Sequence, residues 1–187
     1  MRVTREKAAE NRDKVVATAA RLFRENGFDG IGLDAIMAEA GLTHGGFYRQ
    51  FGSKEGLAVE ALEHAFAGSA AWQAGMPGLL AAVDGYLSAA HRDAVGAGCA
   101  LAALAPEVAR QSKAVRHTLA GHVREQIGRI AAWLPGGGEA ARRRRAIATL
   151  AGMVGALTLA RAVDDAELSE EILAAGRAEF GGGGGSP

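Results

Sequence analysis

Apolar residues recur three and four positions apart along most of this chain, which is the spacing that places side chains on one face of an α-helix. Residues 15–23 and 115–134 show the pattern with valine, leucine, isoleucine and phenylalanine. The composition agrees, because the 187 residues are rich in alanine and leucine and include only four prolines. We therefore expect an all-α fold in which helices pack on helices.

Charge and cysteine content limit the kinds of protein this can be. The 21 basic and 21 acidic side chains balance, so nucleic-acid binding would need a local basic patch. A single cysteine excludes an intrachain disulfide and a Cys-x-x-Cys metal site. No signal segment or uncharged apolar run of about 20 residues is evident, so we expect a soluble cytoplasmic protein without a membrane partner.

The sequence carries no pattern typical of catalysis. It has no paired His, Asp or Glu at metal-ligand spacing, no nucleophile with a neighbouring base and no phosphate-binding loop. We therefore predict neither an enzyme nor a bound metal or cofactor.

The amino-terminal part divides into short helices. The spacing predicts helices at residues 12–26 and 33–40. Gly27 and Gly41 follow them, and glycine readily adopts the left-handed conformation in which many helices end. Thr43 is a candidate N-cap of a third helix, because its hydroxyl can accept a free backbone N–H. Two short helices around a glycine-containing turn form a helix-turn-helix pattern.

The third helix has a clear core face. Phe47 and Phe51 lie four positions apart, so both should pack into the same core. Ser53 is expected to cap a fourth, longer helix.

Longer helices follow in the carboxy-terminal part. Pro77 suits the first position of a helix, whereas Pro106 should kink or split the helix that contains it. Ser112 is a candidate N-cap. The last two helices are predicted at residues 140–163 and 168–180.

The candidate functional surface lies in the stretch GLTHGGFYRQFGSKEGL, residues 41–57. Between residues 41 and 54 there are no acids, whereas His44, Arg49 and Lys54 supply a local basic patch. At about 100° per residue, Arg49 points away from the phenylalanine face, and an anionic partner could meet it there. The pattern favours DNA binding.

Two adjacent glycines in this short helix need an explanation, because each costs about 1 kcal/mol relative to alanine. Gly45 faces outward, where the absence of a side chain would let the helix approach a DNA groove closely. Gly46 lies on a flank of the helix. Its lack of a side chain there has two alternative explanations, close approach to DNA and close packing against another helix.

The stretch AARLFRENGFDGIGLDAIMAEAGLTHGGFYRQFGSKEGL resembles the DNA-binding domain of the TetR family of transcriptional regulators, over residues 11 to about 63. The resemblance implies a homodimeric repressor that a small-molecule effector releases from a double-stranded DNA operator. It implies the following DNA contacts: Thr43, His44, Gly45, Tyr48 and Arg49, with Lys54 on phosphate. Gly32 departs from the family, which often has threonine there.

The resemblance also implies two domains. Residues 1–55 form the helix-turn-helix domain, residues 56–180 a helical domain for ligand binding and dimerisation, and residues 181–187 a disordered glycine-rich tail. By two-fold symmetry the last two helices should form the dimer interface. The apolar residues assigned to it are Ile147, Leu150, Val154, Leu157, Ile172 and Leu173.

Larger or polar side chains among alanine-rich helices are candidates for an effector pocket, although each could also be purely structural. The set comprises Tyr86, His91, Cys99, His117, Trp133 and Met153, and Trp72 and Met76 are further side chains of this kind. Cys99 supports an alternative, a thiol-based redox or electrophile sensor on the same scaffold. A second alternative is a helical small-molecule binding protein without DNA function.

Overall fold

The computed structural model describes residues 5–43 and 47–181, and within those residues every regular element is helical, which confirms the all-α prediction. The first four helices are α1 Arg5–Asn26, α2 Leu33–Glu39, α3 Phe47–Phe51 and α4 Lys54–Ala74. They are followed by α5 Leu79–Tyr86, α6 Ala89–Asp93, the 3₁₀ turn Val95–Ala97, α7 Ala100–Val108, α8 Lys113–Trp133, α9 Glu139–Ala162 and α10 Ala166–Gly181.

Several predicted helix ends agree with the structure. Gly27 and Gly41 have φ angles of +77° and +69°, the left-handed conformation expected after α1 and α2. The hydroxyls of Ser53 and Ser112 each accept an N–H from three residues ahead, at 3.0 and 3.4 Å. Helices α9 and α10 begin and end within two residues of their predicted limits.

Two helix starts differ from the prediction. Helix α1 begins at Arg5 rather than residue 12, because its first turns are built from alanine and charged residues with high helix propensity. An ion pair of 2.9 Å between Lys7 and Glu10 adds to this segment. Pro77 lies in the connection before α5 rather than in its first turn, since Gly78 takes the N-cap position.

Helix α7 continues through Pro106 and is not split there, and the predicted kink stays a prediction. A proline has no N–H, so the carbonyl of Ala102, four residues earlier, loses its helical partner. The hydroxyl of Thr158 in α9 shares its single proton between that carbonyl, at 3.3 Å, and the Val154 carbonyl, at 2.8 Å. A contact from another helix therefore partly satisfies the group that the proline left unpaired.

One hydrophobic core joins the amino-terminal helices to the rest of the protein. Its members come from α1 to α4 and also from α7 and α8, where Leu104, Val108 and Val115 are almost fully buried. Helix α4 runs unbroken across residue 55, the predicted domain limit, so both predicted domains share it. The limit itself stays a prediction. Gly181, the first residue of the predicted tail, is the last residue of α10.

A second core lies between α5, α7, α9 and α10. Leu157 and Leu173 are 0% exposed in it, which corrects their assignment to the dimer interface. Because α10 folds back directly onto α9, these two leucines face the protomer's own interior. They have no surface left to bury against a partner.

A buried polar pair lies between α4 and α8. His122 stacks on Phe66 with ring centroids 3.8 Å apart, and its Nε2 lies 3.2 Å from the side-chain nitrogen of Gln126. Burial lowers the pKa of His122 to about 4, and the positive charge of Arg129 contributes to the lowering. The imidazole is therefore neutral in the folded protein near neutral pH.

The lowered pKa of His122 predicts a loss of stability in acid. The unfolded chain takes up this proton near pH 6.5 and the folded chain only near pH 4, so stability from this group falls between those values and levels off below them. We expect His122→Phe to reduce the fall in melting temperature between pH 7 and pH 4. His117→Phe, at an exposed site, is the control, and equal pH profiles for the two variants would contradict the prediction.

Candidate nucleic-acid interface

The turn between α2 and α3 is stabilised by backbone hydrogen bonds. The N–H of Gly41 donates to the Ala38 carbonyl and that of Leu42 to the Met37 carbonyl, both at 2.9 Å. Gly41 makes this reversal without strain, because glycine tolerates a positive φ. Gly32, at the N-cap of α2, forms no side-chain cap, as expected from its departure from the family.

Helix α3 is held in place by its two phenylalanines. Phe47 is 1% exposed and Phe51 7%, and their ring centroids are 5.2 Å apart. A helix of five residues is too short to be stable alone, so this burial decides where α3 lies. The contact fixes one face in the core and leaves the opposite face outward.

The outward face of α3 carries two of the candidate DNA contacts, Tyr48 and Arg49. Tyr48 is 65% exposed, and its ring meets that of Phe47 edge-on at 5.3 Å. Arg49 and Thr43 are also exposed. His44 and Gly45, like the neighbouring Gly46, lie outside the described residues.

Lys54 has an intramolecular role that the sequence did not indicate. Its Nζ donates to the carbonyl of Ile31 at 2.7 Å, which ties the start of α4 to the loop between α1 and α2. The side chain is half-buried. An ammonium group has three N–H donors, so this bond leaves donors for an external phosphate.

Arg12 was also missed as a structural element of this region. Its guanidinium lies 2.6 Å from a carboxylate oxygen of Glu60 and 5.0 Å from the centre of the Phe51 ring. It thus connects α1, α3 and α4. No local sequence signal distinguishes it from the other charged residues of α1.

Helices α9 and α10 leave apolar surface uncovered. Ile147 is 45% exposed, Leu159 57% and Leu168 41%. Helix α9 is long and apolar enough to cross a membrane by length and composition, but only 28% of its most apolar window is buried within the protomer. The other residues assigned to the dimer interface are half-buried: Leu150, Val154 and Ile172.

Four of the six predicted effector residues cluster in the structure. Tyr86 and His91 have ring centroids 4.8 Å apart, and His91 Nε2 accepts the N–H of Cys99 at 3.0 Å. Met153 belongs to the same core as Tyr86, and Cys99 packs against that core. Burial raises the pKa of Tyr86 well above its usual value, with a smaller contribution from Cys99.

His117 and Trp133 do not join this cluster, which corrects the prediction of a single set. They lie 16 residues apart on α8, so roughly 24 Å of helix separates them. His117 lines a cleft beside Glu63 and Glu125, and Trp133 lines another beside Met76. Their residue types suggested a shared pocket, but His117 lies near the start of α8 and Trp133 at its end.

A cavity of about 350 Å³ lies next to the cluster. Of the predicted effector residues only His91 lines it. Trp72, which the sequence analysis also noted as a side chain typical of pockets, lines it as well, whereas the polar walls Arg24, His64 and Ser69 were not indicated by the sequence. The principal lining residues are Arg24, His64, Ser69, Trp72, His91 and Gly98.

Known proteins similar to this chain share its helix-turn-helix region. Residues 15–61 match the family model described as bacterial regulatory proteins, tetR family. The HTH-type transcriptional regulator LmrA of Bacillus subtilis (strain 168) is 43% identical over 54 residues, which are 28% of this chain and 29% of LmrA. The aligned region thus spans less than a third of that relative's length.

Solved structures resemble the chain over nearly its whole length. A TetR transcriptional regulator from Chloroflexus aurantiacus J-10-FL superposes with a TM-score of 0.76 and 27% identity, over 92% of this chain and 95% of that one. Reduced Escherichia coli NemR superposes with a TM-score of 0.75 over 91% of this chain and 95% of NemR. At 23% identity, the likeness to NemR concerns the fold alone.

Proposed function

Because the chain belongs to the TetR family of bacterial regulatory proteins, we propose that it is a cytoplasmic transcriptional repressor that binds a DNA operator as a homodimer. The observation that carries the proposal is the geometry of α3. Two buried phenylalanines hold this helix against the core while Tyr48 and Arg49 project from its other face.

Helix α3 enters the major groove in this proposal. Tyr48 and Arg49 contact phosphates or base edges, and Thr43 contacts DNA at the turn before the helix. Lys54 binds a phosphate with the donors that Ile31 does not use. His44 and Gly45 are included on the strength of the family resemblance. Two copies of α3 would lie in successive grooves, about 34–36 Å apart.

The dimer forms through α9 and α10. Their exposed apolar side chains, Ile147, Leu159 and Leu168, support this assignment, since such surface is stabilised when a partner covers it. A two-fold axis brings the same helices of both protomers together. The half-buried side chains of Leu150, Val154 and Ile172 contribute at the edges.

A small molecule releases the operator. It binds more tightly to a conformation in which the two copies of α3 are wrongly spaced, so DNA affinity falls by linkage. The cavity lined by Arg24 and Trp72 supports this step, because its walls come from α1 and from α4, α5 and α6.

Selection of DNA sequences from a random pool with the purified full-length protein tests the proposal. The selected pool should contain a two-fold symmetric site, and gel-shift assays should show binding to it and not to a scrambled version. Arg49→Ala should lose this preference. A pool without enrichment would contradict DNA recognition and favour a binding protein without DNA function.

We expect Lys54→Gln to weaken binding to all DNA sequences about equally. Each lost phosphate contact should flatten the slope of log affinity against log salt by about one unit. Because Lys54 also donates to Ile31, the melting temperature should fall slightly. Lys113→Gln, an exposed change on α8, is the control. An unchanged salt slope in Lys54→Gln would show that Lys54 does not contact a DNA phosphate.

A further inference from the structure

We propose that the cavity beside α1 binds a small planar aromatic anion, such as an aromatic carboxylate, and that Arg24 recognises its negative charge. The coupling of this ligand to DNA release rests on the proposed function, whereas binding of the ligand is independent of it.

The cavity has the size of a site for a small organic molecule. Its volume is about 350 Å³, within the range of roughly 300–1,000 Å³ that is typical of ligand pockets. Its walls come from α1, α4, α5, α6 and the 3₁₀ turn with the residue after it. No aspartate or glutamate is among the described residues that line it.

Arg24 brings a positive charge to this cavity without a carboxylate partner. Its Nε donates to the Gly96 carbonyl at 2.7 Å, and its Nη2 donates to the same oxygen. Among the described residues Nη1 has no hydrogen-bond partner. The neighbouring Glu25 pairs instead with Arg21 at 2.8 Å.

This arrangement of the Arg24 charge is unfavourable by itself. Burial lowers the pKa of Arg24, although Cys99 and Glu25 partly oppose the effect. A partly buried charge is normally paired, because desolvation destabilises an unpaired one. A bound anion would supply the missing charge and accept the free Nη1 donors.

His91 does not add a second fixed charge. Its Nδ1 lies 2.6 Å from the Tyr86 carbonyl and must donate to it, since a carbonyl only accepts. Its Nε2 accepts the N–H of Cys99. Both nitrogens are occupied in the neutral ring, and burial lowers the pKa of His91 in agreement. Among the described residues that line the cavity, Arg24 therefore carries the permanent charge, with exposed His64 also at the wall.

Trp72 supplies a surface for an aromatic ring. It is 39% exposed on α4. A Cβ placed on Gly85 would lie 2.9 Å from the Trp72 ring, so the absence of a side chain there lets the indole lie against α5. A planar ligand can stack on the indole while its anion reaches Arg24.

Arg24 also connects the cavity to the DNA-binding helices. It lies in the last turn of α1, and Phe23 beside it is buried in the core that holds α2 and α3. A Cβ on Gly96 would lie 2.1 Å from Glu25, so the 3₁₀ turn packs directly against α1. An anion that competes with the Gly96 carbonyl for Arg24 would weaken this contact and allow α1 to shift.

Calorimetric titration with 2-naphthoate and its neutral analogue 2-naphthamide tests the site without DNA. The wild-type protein should bind the acid roughly tenfold or more tightly than the amide. Arg24→Met should bind both alike, and Arg24→Lys should keep part of the preference. Lys14→Met, an exposed change on the same helix, is the matched control, and it should behave as wild type.

Absence of naphthoate binding, equal binding of acid and amide, or an unchanged preference in Arg24→Met would each overturn the inference. If Arg24→Met does not fold, Trp72→Ala replaces it as the decisive variant, and it should weaken both probes. Wild-type affinity in Trp72→Ala would overturn the stacking role.

Gel shifts on the selected operator then test the coupling. Naphthoate should release DNA from the wild-type protein and not from Arg24→Met. Binding of naphthoate without release would overturn the coupling alone. A protein that selects no operator yet prefers the acid would refute the proposed function and leave the ligand site standing.

Discussion

Leu159→Glu should produce a folded monomer whose operator affinity is reduced by at least about a hundredfold, because a dimer gains its affinity from two linked half-sites. Leu159 is 57% exposed in the protomer, so glutamate is tolerated there in a monomer. In a dimer the same carboxylate would be buried against apolar side chains, where an unpaired charge is strongly unfavourable. Sedimentation and gel shifts on the selected operator measure the two effects.

The choice of Leu159 follows from the burial of its neighbours on α9. Leu157→Glu would place a charge in the protomer's own core, and Leu150 packs against the core formed by α8 and α9. Neither change would separate assembly from folding. Ala71→Glu, an exposed apolar-to-acidic change on α4, is the matched control and should remain dimeric. A Leu159→Glu protein that sediments as a dimer would refute an interface through this face.

Phe47→Ala should abolish operator binding at temperatures where the rest of the protein is still folded. Removing a fully buried phenylalanine costs about 3–5 kcal/mol, and Phe47 is 1% exposed. Because α3 has only five residues and depends on Phe47 and Phe51 for its position, it should detach before the larger core melts. Operator affinity and circular-dichroism melting of the same preparation measure this.

Phe66→Ala is the matched control for that experiment. Phe66 is 8% exposed and belongs to the same core, but it lies on α4 against His122, away from α3. It should lower the melting temperature by a similar amount while operator affinity at low temperature stays within severalfold of wild type. If both variants lost operator affinity in proportion to the fall in their melting temperatures, the prediction that α3 detaches before the larger core melts would be wrong.

The candidate interface could be predicted where local pattern was enough. The spacing of Phe47 and Phe51 identified the buried face of α3, and Gly41 identified the turn before it. The bond from Lys54 to Ile31 spans 23 residues, and local periodicity carries no signal for such a contact. The same holds for Arg24, which reads as a surface residue in the last turn of an amphipathic helix until the 3₁₀ turn packs over it.

The effector residues show the limit of arguing from residue type. Large and polar side chains are typical of pockets, but His117 and Trp133 lie at separate clefts because they are 16 residues apart on α8. The cavity instead takes Arg24 and Trp72 from α1 and α4. Its walls are brought together by helix packing rather than by proximity in sequence.

The sequence alone determined the all-helical fold, the helix-turn-helix segment and many helix ends, because propensity, capping and periodicity act within a few residues. Tertiary structure alone decided which protein surface each apolar face meets. Leu157 and Leu159 are two positions apart on α9, yet one is in the protomer core and the other is exposed. Helical periodicity predicts that an apolar face of α9 is buried. The packing of α10 onto α9 decides which apolar side chains of α9 the same chain covers and which it leaves exposed.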